Sequence, residues 1–308
     1  MLKMNRFQQI AALLAAICIG MIFLWRPTAI VYGVQRAGLY AAVALPMALV
    51  LGIVHIVNLA HGEIMMVGAY STYFLSRTFG IDPYLALIPT VLVLYVIGVA
   101  IYKSTISRSV TGSELSQLIL TFGIAMVLSQ TMNLIATSQP RKLSLSYVSS
   151  SAQIGEISFG TYEFVFPVLA ALMLIGMTYF LRKTKLGKAA TAVGQNPRGS
   201  AVIGINVQRT YMIIFALSSA LLGVVGSVFM TKMSIFPMVG GSYTMKSFCL
   251  VAMAGIGNLP MVVIGSLVLG IAESTIQAFP GGGGWSSLVF FVLIIAVILV
   301  RSFREKTV

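Results

Sequence analysis

Apolar runs of about 20 residues recur along the chain and are separated by short polar loops. A run of that length crosses the roughly 30 Å hydrocarbon core of a bilayer as an α-helix, because a helix bonds each backbone N–H and C=O within the segment. Hydrophobic residues make up 58% of the chain and charged residues only 9%, whereas soluble domains have roughly half and a quarter. The chain is therefore predicted to be an all-α integral membrane protein.

Nine segments are long and apolar enough to be spans. They are residues 8–25, 36–54, 63–80, 84–102, 114–136, 162–181, 210–231, 259–279 and 285–301. The stretch 244–258 has a shorter apolar run, Phe248 to Ala254, and is interpreted as a half-helix or as the first arm of a broken span. The prediction is one transmembrane domain, residues 1–308, built as a polytopic helical bundle of about nine or ten spans.

The net charge of +13 arises from basic residues between the apolar runs, which indicates membrane orientation rather than nucleic-acid binding. With a cytoplasmic N-terminus and one crossing by 244–258, thirteen Lys and Arg residues lie inside and seven outside. The outer set includes Arg36 and Lys246. Without that crossing the basic C-terminus would lie outside, against the positive-inside rule. Both termini are therefore predicted to be cytoplasmic.

The stretch VNLAHGE places polar groups between two apolar runs. Charged groups at membrane depth cost about 2.5–3.5 kcal/mol each on insertion scales, so they usually face a bundle interior or water. The four residues Asn58, His61, Gly62 and Glu63 are accordingly interpreted as a polar hinge where one span ends and the next begins.

Two further features are candidate parts of a substrate pathway. Gly255, Gly257 and Asn258 interrupt the helix before span 259–279, and a broken helix is tolerated only where it is buried in protein or lines a cavity. Glu273 is an acid within or at the end of that span. For each of these residues, substrate contact and interhelical hydrogen bonding remain alternatives.

The chain lacks the residues for chemistry of its own. The phosphate-binding pattern G-x4-G-K-[ST] is absent, since the only Gly-Lys pair is followed by Ala189. His55 and His61 are six residues apart and do not share a helix face, which disfavours a metal site. Seven acids leave little room for acid–base catalysis. We expect a protein that is not an enzyme and holds no cofactor.

Residues 182–209, RKTKLGKAATAVGQNPRGSAVIGINVQR, carry six basic residues and no acid, which predicts a cytoplasmic loop. Asn196 and Pro197 divide it into two short amphipathic pieces. A helix on the membrane surface and a docking element for a soluble partner are both compatible with this pattern.

Within this loop, Ala189-Ala190, followed after three residues by Gly194, resembles the E-A-A-x3-G coupling motif of ABC importer permeases, with Lys188 in place of Glu. The longer string LGKAATAVGQNPRGSAVIGINVQR, together with NLAHGE and AGIGNLPMVVIGSLVLGIAES, resembles the LivH-type permeases of the branched-chain amino acid family over roughly residues 35–301. The ATPase-coupling residues that this resemblance implies are Gly187, Ala189, Ala190, Gly194, Gln195, Asn196, Ile203, Gly204 and Ile205.

The resemblance implies a type II ABC importer permease in a bacterial or archaeal plasma membrane, which moves branched-chain or other small hydrophobic amino acids inward. It implies a LivM-type second permease, two ABC ATPase subunits that bind ATP and Mg, an extracytoplasmic substrate-binding protein and contact with membrane lipid. Three alternatives remain open. They are an ABC permease for urea, amides or other small solutes, a self-sufficient ion- or proton-coupled transporter, and a scaffold without a pore.

Overall fold

The computed structural model describes residues 27–109, 113–154 and 157–279, together with 281, 283–285 and 291–292. Within these ranges the chain is mostly helical. The principal helices are α1 (Pro27–Ile53), α2 (His61–Phe79), α3 (Pro83–Ile101), α4 (Glu114–Ala136), α5 (Val165–Lys183), α6 (Lys185–Gln195), α7 (Pro197–Val202), α8 (Val207–Lys232), α9 (Val239–Ala254) and α10 (Leu259–Gln277). A π-helical turn, Tyr102–Ile106, and a short turn, Ser107–Ser109, extend α3, and 3₁₀ turns cover Ser146–Ser149 and Tyr162–Phe164. Two antiparallel strands, β1 (Ser151–Ile154) and β2 (Ile157–Gly160), precede α5.

Six helices among the described residues are long and apolar enough to cross a membrane. They are Thr28–Ile53, Pro83–Ser109, Leu115–Ala136, Tyr162–Lys183, Val207–Lys232 and Leu259–Gln277. These six helices correspond to the predicted spans 36–54, 84–102, 114–136, 162–181, 210–231 and 259–279. The predicted span 63–80 corresponds to α2, which is less apolar. The predicted span 8–25 lies outside the described residues. Of the predicted span 285–301, only residues 285, 291 and 292 are described.

Two predicted boundaries are wrong. The span predicted to start at Arg36 starts at Pro27. The helix therefore includes the polar residue Gln35, whose side chain donates a hydrogen bond to the main-chain oxygen of Gly160 at 2.8 Å. The arm predicted to begin at 244 begins at Val239 and forms a 16-residue helix. The predicted break after this arm is confirmed, because Gly255 ends α9 with a positive φ of 87°.

Helices α1 and α8 form the centre of the bundle. Of their membrane-spanning windows, 89% and 72% are buried, compared with 11% for α4, so α4 presents an apolar face outward as a helix in lipid does. Helix α1 packs against α10 and α5, and α8 packs against α3 and α2. The small residues Ser219, Gly223 and Ser227 form a close-packing stripe on α8, where a Cβ added at Gly223 would lie 3.2 Å from Leu94 Cβ.

Helix α1 connects two opposite ends of the structure. Near its beginning, Tyr32 donates to the main-chain oxygen of Ser158 in β2 at 3.2 Å. Near its end, Gly52 lies against Gly194 of α6. Twenty residues separate Tyr32 from Gly52, which is about 30 Å of helix and matches the hydrocarbon thickness of a bilayer. The β-strands and α6 therefore lie at opposite ends of a bilayer-length helix.

Candidate functional site

The connection between α1 and α2 turns back into the bundle. The ring of His61, the first residue of α2, bonds through Nε2 to the main-chain oxygen of Val43 at 2.8 Å. Val43 lies ten residues before the end of α1, or about 15 Å along the helix axis. Helix α2 therefore begins beside the middle of α1. The irregular residues 54–60 are largely buried in protein, as non-helical backbone at membrane depth must be unless it lines water.

The start of α2 also packs backbone to backbone against the start of α9. A Cβ added at Gly62 would overlap the main-chain oxygen of Gly240, and one added at Gly240 would overlap the backbone of Gly62. The N–H of Gly62 donates to Thr244 Oγ1 at 2.8 Å. Glycine is required at both positions because the helices approach more closely than any side chain permits.

Asn58 and Glu63 complete this joint. The Asn58 side-chain oxygen accepts the N–H of Ala60 at 3.0 Å, which holds the turn that precedes α2. Glu63 is 5% exposed, with one carboxylate oxygen near Gly241 and the other buried without a hydrogen-bond donor among the described residues. The structure thus brings the four predicted hinge residues together at the break between α1 and α2, and their role as a hinge stays a prediction.

A buried charge cluster joins α1, α9 and α10. Lys246 Nζ lies 3.1 and 3.3 Å from the two carboxylate oxygens of Glu273 and donates to the hydroxyl of Tyr40 at 2.7 Å. The Tyr40 hydroxyl in turn donates to Glu273 at 2.5 Å. The Arg36 guanidinium lies 3.9 Å from the same carboxylate. Two cations and a hydroxyl therefore surround one buried acid, which satisfies its charge at membrane depth.

Helix α6 packs on the bundle through a stripe of small residues. Ala190 is fully buried, and Gly187 is buried against the end of α5, where a Cβ would overlap the main-chain oxygen of Phe180. Gly194 lies against α1, with an added Cβ placed 3.2 Å from the main-chain oxygen of Gly52. Ala189 is half-buried between these contacts. The motif residues thus seat α6 on α5 and α1.

Beyond α6, most residues of the 182–209 segment are exposed, and Ser200 is buried. The predicted break is confirmed, because α6 ends at Gln195 and Asn196 caps α7 by accepting the N–H of Gly199 at 2.9 Å. Ile203 is 74% exposed. The positive φ of Gly204, 86°, turns the chain before the half-buried Ile205. A motif that is buried on one face and exposed beyond it can contact the bundle and a soluble partner at once.

The glycine break between α9 and α10 lies beside this segment rather than beside Glu273. A Cβ added at Gly52 would lie 2.9 Å from Gly257 Cα, so Gly52 meets both Gly257 and Gly194. Asn258 caps α10 by accepting the N–H of Met261 at 3.4 Å. The predicted pathway residues consequently fall into three places: the α2 joint, the Glu273 cluster and the break near α6.

A model of the family described as "Branched-chain amino acid transport system / permease component" matches residues 29–298. The chain belongs to that permease family. It is a transport permease subunit and not an enzyme. The high-affinity branched-chain amino acid transport system permease protein LivH of Salmonella typhimurium is 27% identical over 281 residues, covering 87% of this chain and 91% of that protein. BraD of Pseudomonas aeruginosa, with the corresponding description, is 26% identical over 285 residues, covering 88% and 92%.

Among solved structures, PsaBC from Streptococcus pneumoniae in complex with Fab aligns with 86% of the permease and 89% of that chain. Its TM-score is 0.45 and its identity is 16%.

Sequence reasoning missed three members of the charge cluster in this permease. The sequence places Lys246 and Arg36 on the outer side by charge counting alone, and the structure adds that both face Glu273. Tyr40 had no apparent role, because an isolated tyrosine in an apolar run is usually a packing residue. The available signal was Lys246 itself, a single cation in an apolar helix whose partner must come from another helix.

Proposed function

We propose that the permease is the membrane subunit of an ABC importer that moves branched-chain or other small hydrophobic amino acids into the cytoplasm. Two separate ABC ATPase subunits bind ATP and Mg and supply the energy. A LivM-type permease forms the other half of the pathway, and an extracytoplasmic binding protein delivers the substrate. The family match and the substrates named for LivH and BraD support this assignment.

The proposed topology is a single domain of nine or ten spans in a bacterial or archaeal plasma membrane, with both termini in the cytoplasm and α-helices in contact with lipid. The 182–209 segment lies on the cytoplasmic side, which its six basic residues favour. The β-strands then lie on the outer side, because they touch the opposite end of α1. That outer surface is where a binding protein would dock.

The observation that carries the coupling role is the position of Gly52 between Gly194 and Gly257. Helix α6 reaches α1 through the first contact, and α1 reaches the glycine break before α10 through the second. A displacement of α6 by an ATPase subunit would therefore move the ends of α1 and α10 together. Ala189, Ala190 and Gly187 seat α6 in this arrangement, and residues 195–205 meet the ATPase.

The polar groups have distinct proposed roles. Asn58, His61, Gly62 and Glu63 form the hinge at which α2 pivots against α9. Glu273 lies on the pathway side of the bundle, where its charge is balanced by cations from two other helices. A buried network with several partners has discrete alternative arrangements, which a conformational cycle needs.

The test is the ATPase activity of the complete complex in lipid. Leucine-loaded binding protein is expected to stimulate hydrolysis over the unloaded binding protein. If no amino-acid-loaded binding protein stimulates hydrolysis, the assignment is wrong. Solute flux through the isolated chain in liposomes, without ATPase subunits, would instead support a self-sufficient transporter.

A further inference from the structure

A cavity of about 180 Å³ lies at the outer end of α1. Two charged residues, Arg36 and Glu163, line it together with the apolar residues Leu39, Phe166 and Met233. It is smaller than the roughly 300–1,000 Å³ of sites for drug-sized ligands, so it suits a solute with few non-hydrogen atoms. Its position on the proposed outer side is where a delivered substrate first meets the permease.

Glu163 contributes a carboxylate to the cavity lining, and one of its two oxygens has no hydrogen-bond donor among the described residues. Its Oε1 pairs with Lys232 Nζ at 2.7 Å. Its Oε2 is buried against Gly160, with no hydrogen-bond donor among the described residues. A carboxylate has about four acceptor positions, and a buried acceptor without a donor is unfavourable. Oε2 is covered in this arrangement, so a turn of the Glu163 carboxyl group away from Gly160 would bring it to an ammonium group in the cavity while Lys232 stays close.

Arg36 contributes a positive guanidinium that has more N–H donors than its one long ion pair uses. Its guanidinium lies 3.9 Å from Glu273, which is an ion pair too long for a hydrogen bond. The side chain is 38% exposed. A guanidinium has five N–H donors in a fork that matches a carboxylate, so it can bind a second carboxylate in the cavity.

Leu39, Phe166 and Met233 form the apolar part of the same cavity lining. Leu39 and Phe166 are buried, and Met233 is half-buried. The buried Gln35, which also lines the cavity, is held by the main-chain oxygen of Gly160 at 2.8 Å. The wall is therefore fixed to β2 on one side and to the bundle on the other.

We propose that this cavity is an entry subsite for a zwitterionic amino acid with an aliphatic side chain. Arg36 binds the α-carboxylate, Glu163 binds the α-ammonium and the three apolar residues contact the side chain. The inference rests on the proposed import function and adds a site to it. A neutral solute such as urea or a sugar offers no opposite charge to Arg36 or Glu163, so the site favours a zwitterion over it.

The test uses the complete importer in nanodiscs without its binding protein, and measures the binding of radiolabelled L-leucine. Unlabelled L-leucine is expected to compete fully. The competitors 4-methylpentanoate, which lacks the ammonium, and 3-methylbutylamine, which lacks the carboxylate, are each expected to compete at least about tenfold more weakly, because each loses one charge-assisted contact.

Variants assign the contacts. E163Q and R36Q are each expected to weaken leucine binding at least about tenfold. K232M removes the ion pair but not the ligand group, so it is expected to retain leucine binding if Glu163 is a ligand and to lose it if Glu163 is only structural.

D82N is the matched control, because Asp82 lies beside Tyr147 outside this cavity and asparagine can still cap α3. M233F narrows the cavity without changing charge and is expected to reduce binding.

Assembly of each variant is checked by retention of the ATPase subunits. If E163Q fails to assemble, M233F and the two competitors decide the question. Wild-type leucine affinity in both E163Q and M233F overturns the site. An absence of leucine binding to a wild-type complex that imports leucine with its binding protein also overturns the site, and leaves the import function standing. A complex that imports no amino acid with any binding protein contradicts the import function itself.

Discussion

Gly194 of α6 lies directly against Gly52 of α1, with room for no more than a tight Cβ between them. Gly52 in turn lies against Gly257, in the break before α10. The contact between α1 and α6, which are far apart in the sequence, is thus made by backbone atoms. No flexible side chain separates the two helices there. We therefore expect motion of α6 to move α1 instead of being absorbed by side-chain rearrangement.

Replacing Gly194 by valine tests this contact. The added methyl groups need more than the 3.2 Å available to Gly52 and Ile53, so α6 is displaced from α1. We expect ATP-driven uptake to fall at least about tenfold, within the range of coupling energies between sites. Gly176→Val on α5 is the control, because no other side chain or helix lies within 4 Å of an added Cβ there. Unchanged uptake and ATPase retention in Gly194→Val would contradict the coupling role.

Gly62→Ala tests the joint between α2 and α9. The new Cβ overlaps the main-chain oxygen of Gly240, and overpacking of this kind costs about 1–3 kcal/mol or more. The thermal unfolding midpoint of the detergent-solubilised permease is expected to fall. Gly123→Ala on α4, where an added Cβ meets nothing within 4 Å, is expected to leave the midpoint unchanged or raise it slightly. Equal midpoints for Gly62→Ala and the wild type would show that the joint is looser than described.

Much of this fold follows from the sequence because apolar runs must become helices in lipid. The break at Asn196-Pro197 was predictable for a local reason, since asparagine caps a helix and proline starts one. The re-entrant start of α2 was not predictable, because it depends on a bond between His61 and a main-chain oxygen 18 residues away. No local pattern records which carbonyl a buried histidine will reach.

The same reason explains the charge cluster. Glu273 was identified as unusual, but its partners Lys246 and Tyr40 are 27 and 233 residues away along the chain. Counting lysines for membrane orientation does not reveal which of them pairs with a buried acid on another helix. The beginning of α9 was missed because two glycines lower its hydropathy, although Gly240 is helical and packs on Gly62.

Lys246→Met tests the energetics of this cluster. Removing one member leaves Glu273 buried with only the hydroxyl of Tyr40 and the more distant Arg36, and breaking a buried ion pair costs about 3–5 kcal/mol. The double variant Lys246→Met/Glu273→Gln removes both charges and is expected to recover most of that loss. Unfolding of the permease in detergent measures both. A double variant no more stable than Lys246→Met would contradict the pairing.

Glu63→Ala tests the hinge. The substitution removes a buried carboxylate beside Gly241 at the first turn of α2, so we expect impaired folding or transport with ATP binding by the partner subunits retained. Glu63→Gln keeps an acceptor of the same shape and is expected to be milder. Uptake, expression and nucleotide binding of the assembled complex separate these effects. Wild-type uptake and expression in Glu63→Ala would leave the motif without a mechanical role.

The most direct measurement is uptake of radiolabelled leucine into proteoliposomes that contain the complete complex, with ATP and Mg enclosed or added on the side of the ATPase subunits. The account predicts uptake that requires ATP, the ATPase subunits and leucine-loaded binding protein, and that falls with Gly194→Val but not with Gly176→Val. Leucine uptake by the isolated permease without ATP, or a complete complex that moves no amino acid, would contradict it.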